Sequence, residues 1–548
     1  MEHSLLHALQ LSGAVVALGG AILMLAFVYP ALKASSGEPA QISFVAQLEA
    51  RVARSILICG ALAIGAAGLN FIVDTAEIDS RTIFGGFKPE LIWRLATGTT
   101  VGLLSLLRLA ALTATTAATR LANRVKWWFI LAGAFTAVLC EAFICHAAAQ
   151  PTARATAITS EMIHVVAASL WIGVLINLLL ARQVLLTATE NGPLALLAHI
   201  IRRFSPVAMT CVGLLVVSGL ILTIRYLCTP MAVPTSAYGL TLLVKFVLLI
   251  PLLYAGYFNY RTVTPSLQSL SRSGTPESRI ALLGRFGRTL ELEVTGGVLV
   301  LTLAGILASV SPPEQWGTLR LTTPQIKALA TPHLPRTAIA NPASFYGAQE
   351  RTVADLYYSE FTHNWSGVMV LLLGCCWWLA QNLEGAAGRA AAKAWPLILI
   401  PFPFFIAVAA DPEVWLLRKV SLAQTIQDPQ LLEHQLGALM AFTLVGLGWW
   451  DQRRPAELRP LGYLLPVLMI VGSLMLLGHA HSTFSNTQEL TNMINVQHAV
   501  FGSFGLFAGV IRWLNLRRLL PDRTARLLWP LLVIGLGLYM AFGYREAV

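Results

Sequence analysis

Cys140-Glu141-Ala142-Phe143-Ile144-Cys145-His146 and, a short turn later, Glu161-Met162-Ile163-His164 are the two runs from which the rest of the chain is read. The first closes one strongly apolar segment and the second opens the next, with only the polar stretch from Gln150 to Ser160 between them. Two apolar helices joined so briefly run antiparallel. That hairpin gathers Cys145, His146, Met162, His164 and the carboxylates Glu141 and Glu161 at one membrane face. Metal handling heads the list of functions that need such a mixture there.

Working outward, the bulk composition supports the membrane reading. The 548 residues are 56% apolar and only 12% charged, and mean hydropathy is +0.68. Soluble domains carry about 25% charge. Apolar runs of about 20 residues recur, the length that crosses a hydrocarbon layer of about 30 Å at 1.5 Å per residue. A transmembrane β-barrel would show short alternating segments instead. The expected fold is therefore an all-α, polytopic transmembrane bundle. Fourteen spans are predicted, near residues 8–30, 53–73, 95–117, 127–149, 158–181, 204–226, 239–260, 292–311, 364–381, 394–411, 432–450, 461–479, 495–514 and 525–544.

Charge sets the expected orientation. With an outside N-terminus, the predicted inside loops carry 24 Lys and Arg and the outside segments 12, the bias of cytoplasmic loops. Both termini then face the periplasm. The net charge of +11 thus reports topology, not nucleic-acid binding. The opening Met-Glu-His-Ser has no basic residue before the first apolar run, which argues against a cleaved signal peptide. The long, proline-rich connection divides the chain into an eight-helix domain (1–311), a periplasmic linker (312–362) holding an interfacial helix near Thr352–Phe361, and a six-helix domain (363–548).

In this register ten of the eleven histidines fall on the outer side, and only His199 lies inside. Imidazole suits copper, zinc, iron and nickel, while cysteine and methionine favour Cu(I). On helices, Glu161 and His164 share a face at i,i+3, as do Glu141 and Cys145 at i,i+4, and Trp171 lies on the His164 face. The carboxylates would orient the imidazoles as outer partners. A second group, His434, His479, His481 and His498, falls at the outer ends of three later spans. His479 and His481 can serve one site only if their helix ends near Gly478. His3 and His7, four apart, form a possible capture point for incoming metal. Arg108, Glu141 and Lys245 are charges inside spans, where each costs a few kcal/mol unless paired or hydrated; Arg108, Lys245 and Trp171 are candidates for a polar path. The bland alternatives are interfacial histidines satisfied by water, cysteines as apolar filler and structural ion pairs. The seven cysteines form no CxxC pair, and there is no CxxCH, no Walker A loop, no phosphorylatable DKTGT stretch and no Ser/His/Asp arrangement.

Cys145-His146-Ala147-Ala148-Ala149 followed by HVVAASLWIG at 164–173 resembles the signature of the copper-resistance D (CopD) family. Matches continue at 203–220 (RFSPVAMTCVGLLVVSGL), 238–253 (YGLTLLVKFVLLIPLL) and 290–313 (LELEVTGGVLVLTLAGILASVSPP). The second half resembles, more loosely, the C-terminal membrane extension of long family members, through DPEVW at 411–415, DPQLLEHQLG at 428–437, LLGHAHS at 476–482 and QHAVFG at 497–502. The resemblance implies a bacterial inner-membrane protein that moves copper, as Cu(I) or Cu(II), from the periplasm, beside a soluble periplasmic copper carrier and without enzymatic activity. Two other readings stay open. One is a membrane redox protein with b-type haem at the C-terminal histidines. The other is an assembly or scaffold factor that donates copper to a periplasmic-facing oxidase.

Overall fold

The computed structural model describes residues 2–35, 37–79, 88–150, 152–186, 192–273, 276–313, 320–337, 353–410, 421, 423, 429–452, 461–478 and 488–546. Among these residues the chain is helical throughout, with no strand. Twelve helices are long and apolar enough to cross a membrane. Helices Val353–Asn382 and Leu461–Gly478 also fall on predicted spans, so every one of the fourteen predicted segments is helical over most of its length. The protein is an all-α, multi-pass membrane bundle.

Several boundaries differ from expectation, each for a local reason. The third predicted span is broken at Thr99, whose extended backbone (φ −130°, ψ 146°) ends helix Pro89–Gly98. Its hydroxyl accepts the Gly102 N–H at 2.9 Å to start helix Thr100–Ala118, an N-cap of the usual kind. Ile400-Pro401 divides the tenth into Gly385–Leu399 and Pro401–Ala409, because proline lacks the N–H that would continue the ladder. The interfacial helix expected near 352–361 does not stand alone. It is the start of the continuous helix Val353–Asn382, which no proline interrupts.

Helix Glu2–Ile22, continued by a π-helical stretch (Leu23–Val28) to Ala34, is the hub. Its membrane window is 78% buried, against 17–56% for the other spans. It packs on helices Pro39–Asp79, Lys126–Ile144, Arg154–Leu185 and Pro276–Ser309. The crossing with Arg154–Leu185 depends on two glycines. A Cβ on Gly19 would stand 2.1 Å from the Gly173 carbonyl carbon, and one on Gly173 would stand 2.3 Å from the Val15 carbonyl oxygen. Small residues allow such backbone approach between membrane helices. Fully buried Asn177 then donates to the Val16 and Gly173 carbonyls at 3.1 and 2.8 Å.

The C-terminal helices share a buried apolar seam with the first half. Val244, Leu248, Leu299, Leu303 and Ile306 cluster with Leu474, Leu477, Ala499 and Leu506. The described part of the long connection is more structured than a plain linker. Thr323–Leu329 is a helix opened by a Thr322/Gln325 capping box. Further on, His333 donates twice to chain-distant backbone: its main-chain N–H reaches the Phe542 carbonyl at 2.9 Å, and its Nε2–H reaches the Tyr544 carbonyl at 2.9 Å. Arg336 pairs with Glu360. His333 is therefore a hydrogen-bonding tie, the bland reading of that residue.

Candidate metal site at one end of the first bundle

Helix Lys126–Ile144 stops one turn earlier than expected. Cys145 is extended (φ −77°, ψ −179°), although its N–H still reaches the Glu141 carbonyl at 3.1 Å. A tight turn follows, with Ala148 and Ala149 N–H groups bonding the Cys145 and His146 carbonyls. Ala153, at φ 49°, lies in the left-handed region just before helix Arg154–Leu185 begins. This compact link sets the His146 turn beside the first turns that carry Glu161 and His164.

The result is a cavity of 480 Å³. His7, Glu141, Cys145, His146, Glu161, His164, Trp171 and Lys245 all line it, among mostly apolar neighbours. Met162, expected in the same set, does not line it. His3 begins the hub helix, but its side chain lies outside the described residues. His7 proves to belong to the central site, where the sequence reading had set it apart at a terminus.

Glu141 is the most tightly held group. It is 5% exposed. Arg108 Nη1 lies 2.9 Å from Oε2 and His7 Nε2 lies 2.5 Å from Oε1. Both oxygens are thus engaged, and Arg108, itself 5% exposed, is paired as a membrane-interior charge must be. Arg108 is the cation that pairs with Glu141, while Lys245 lines the same cavity.

His164 is oriented by a second polar contact. Its Nδ1 lies 3.0 Å from Ser218 Oγ. Ser218 donates its only proton to the Leu214 carbonyl at 2.6 Å, so in this network the serine oxygen accepts from Nδ1–H. That tautomer leaves the lone pair on Nε2, the state in which imidazole binds a metal. His146 Nε2 is buried and has no hydrogen-bond partner among the described residues. Burial also holds the His146 imidazole below its ordinary range, which keeps it neutral and able to donate a lone pair. Burial, reinforced by Glu161 and Glu141, pushes the Cys145 thiol well above its usual range, so it is protonated until a metal displaces the proton. The cavity is roomy rather than closed: among the described residues, no three His, Cys, Asp or Glu side chains stand close enough to form a preformed metal-binding group.

The C-terminal helices enclose a further cavity of 350 Å³, lined by His363, Glu433, His434, His498 and the thioethers of Met440, Met469, Met475 and Met540. Helix Leu461–Gly478 runs to the last described residue before His479 and His481, and those two histidines lie outside the described residues. The rings of His363 and His498 are neighbours, with centroids 5.5 Å apart. His363 also stacks on Tyr544 at 4.0 Å.

A multi-pass helical bundle with buried imidazoles, a thiol and paired carboxylates around one cavity defines a metal-handling class of membrane protein. Comparison with known proteins makes this specific. Residues 4–156 match the family described as copper resistance protein D-like, N-terminal domain, and residues 198–307 match copper resistance protein D. Over these two stretches the chain is similar to the copper resistance protein D family. It is 31% identical over 182 residues to the copper transport protein CutJ of Bacillus subtilis (strain 168). That match spans 33% of this chain and 30% of the relative, so the chain corresponds to under a third of that protein's length. No solved structure matches.

Proposed function

We propose that this chain is an inner-membrane copper protein that captures copper from the periplasm in the cavity around His146 and His164 and passes it inward. The observation that carries the reading is a pair of imidazoles, from two helices, each with a nitrogen left for a metal. His146 Nε2 is buried without a partner, and Ser218 fixes His164 in the tautomer whose Nε2 holds the lone pair. Cys145 and the His7–Glu141–Arg108 group flank them. A soft thiol beside imidazoles suits Cu(I). Open spacing suits transit, because a site that binds too tightly stalls conduction. The reading is of a transporter or carrier, not an enzyme, with both termini on the periplasmic side, the 8 + 6 division of helices, and a soluble periplasmic copper carrier as the donor partner.

The test is copper content and ultraviolet–visible spectra of the purified protein and of a His146→Ala/His164→Ala double variant. Stoichiometric copper in the first and a clear loss in the second are expected. Unchanged copper in the variant would remove the cavity from copper binding. A second reading, in which the methionine- and histidine-lined C-terminal cavity takes copper as well, is favoured by its four thioethers. A second equivalent of copper that His434→Ala/His498→Ala removes would establish it, and a Soret band in its place would favour haem.

A further inference from the structure

A second cavity, of 260 Å³, continues the first along the same four helices. Trp171, Val212 and Leu253 line both. On helix Arg154–Leu185 the outer cavity takes Glu161 to Ile172 and the second takes Trp171 to Leu178. The order repeats on the other three helices, Tyr226 to Ile201, Tyr238 to Thr264 and Ala308 to Phe286. At 1.5 Å per residue these stretches span about 20–40 Å, which brackets a hydrocarbon layer of about 30 Å. The two cavities are thus stacked along the membrane-crossing direction, with an apolar waist between them.

Among the described residues, the second cavity has one charged group, Glu293, which is 3% exposed. Asn259 Nδ2 donates to its Oε2 at 2.6 Å, and Thr289 Oγ1 donates to Asn259 Oδ1 at 2.5 Å. Oε1 lies over bare backbone, since a Cβ on Gly256 would be 2.8 Å from it. No hydrogen bond to Oε1 is present among the described residues. Asn259 opens a π-helical stretch, Asn259–Val263, a departure from the α-helix that recurs at functional sites. A membrane-interior carboxylate marks a pathway more often than a scaffold.

We propose that Glu293, steadied by Asn259, is an inner cation station that receives the metal from the outer cavity, and that Trp171, Val212 and Leu253 form the barrier between the two. This rests on the copper-transport reading above. The donor sets differ in the required sense. The outer cavity offers imidazole and thiol, and the inner one carboxylate, amide, phenol and hydroxyl oxygens with a single thioether, that of half-exposed Met209. A set dominated by oxygen donors holds a soft ion less firmly, so the inner station releases what the outer one captures.

The experiment compares whole protein, Glu293→Gln, Glu293→Asp and Trp171→Ala, each verified as monodisperse in detergent. Copper content is measured at equilibrium, and Cu(I) uptake is followed in proteoliposomes loaded with a Cu(I)-chelating dye. Glu293→Gln, which keeps the Asn259 hydrogen bond, should hold as much copper as the unaltered protein yet take it up at least tenfold more slowly. Glu293→Asp should recover part of the rate, and Trp171→Ala should raise it. Uptake by Glu293→Gln within twofold of the unaltered protein would overturn the inner station and leave outer capture standing. So would copper binding by the unaltered protein without uptake. Loss of equilibrium copper in Glu293→Gln would also overturn it, by moving Glu293 into the capture site. Absence of copper from the unaltered protein would overturn the capture reading itself.

Discussion

Replacing Arg108 by methionine should be the most damaging single change to the outer cavity, and its cost follows from the geometry. The guanidinium and the Glu141 carboxylate meet at 2.9 Å, and each residue is 5% exposed. Removing one partner of a buried pair leaves the other charge uncompensated, at a cost of about 3–5 kcal/mol. His7 still contacts the other carboxylate oxygen at 2.5 Å, so the lower end, about 3 kcal/mol, is expected. That is roughly a 150-fold change in the folding equilibrium. The double variant Arg108→Met/Glu141→Leu removes both charges together and should regain most of the loss, because a buried pair exchanged for apolar side chains of similar volume is often neutral. The assay is an SDS-unfolding titration of the purified protein and the three variants, read as a double-mutant cycle. A coupling energy below about 0.5 kcal/mol would refute the reasoning, since contacting residues in one network couple by about 0.5–3 kcal/mol. It would mean that water, not Arg108, neutralises Glu141.

Three other outcomes are expected. Gly173→Leu should prevent the hub crossing, because even a Cβ there meets the Val15 carbonyl at 2.3 Å; size-exclusion chromatography in mild detergent should show loss of the monodisperse species. Ser218→Ala should leave the fold intact but weaken copper binding about 10–100-fold, the usual consequence of removing a partner that orients a ligand histidine; competition with a Cu(I) chelator measures it, and an unchanged affinity would show that His164 needs no such support. His333→Ala should free the 320–337 segment from the Tyr544 carbonyl, exposing it to limited proteolysis with a stability loss of about 1–2 kcal/mol.

How much of this was legible in the sequence varies with the kind of signal. The helices were readable because apolar length is set by the bilayer and does not depend on tertiary partners. The breaks at Thr99 and Pro401 were local and could have been read from capping and proline chemistry. The gathering of Glu141, Cys145, His146, Glu161 and His164 was readable because a short hairpin leaves little choice of geometry. His7 was not, since its partner Glu141 is more than 130 residues away and no local pattern announces that the first helix occupies the centre. Glu293 was hidden for another reason. It lies one residue inside the predicted start of its span, where a carboxylate reads as a boundary marker, whereas helix Pro276–Ser309 begins well before it. Met162 shows the converse limit: its side chain is near the site in sequence, but the cavity-facing positions of its helix are those of Glu161, His164, Val165 and Ala168.

The apolar seam that joins Leu299, Leu303 and Ile306 to Leu474, Leu477 and Ala499 has a consequence for biosynthesis. The two sides of the seam leave the ribosome some 170–200 residues apart, or about 8–40 s at about 5–20 residues per second. During that wait the first side rests against acyl chains, which solvate leucine as well as a protein neighbour does. Docking of the late helices is then an exchange of lipid for protein, made after the earlier helices are already inserted. Lipid composition at the time of synthesis therefore bears on whether the two sides meet.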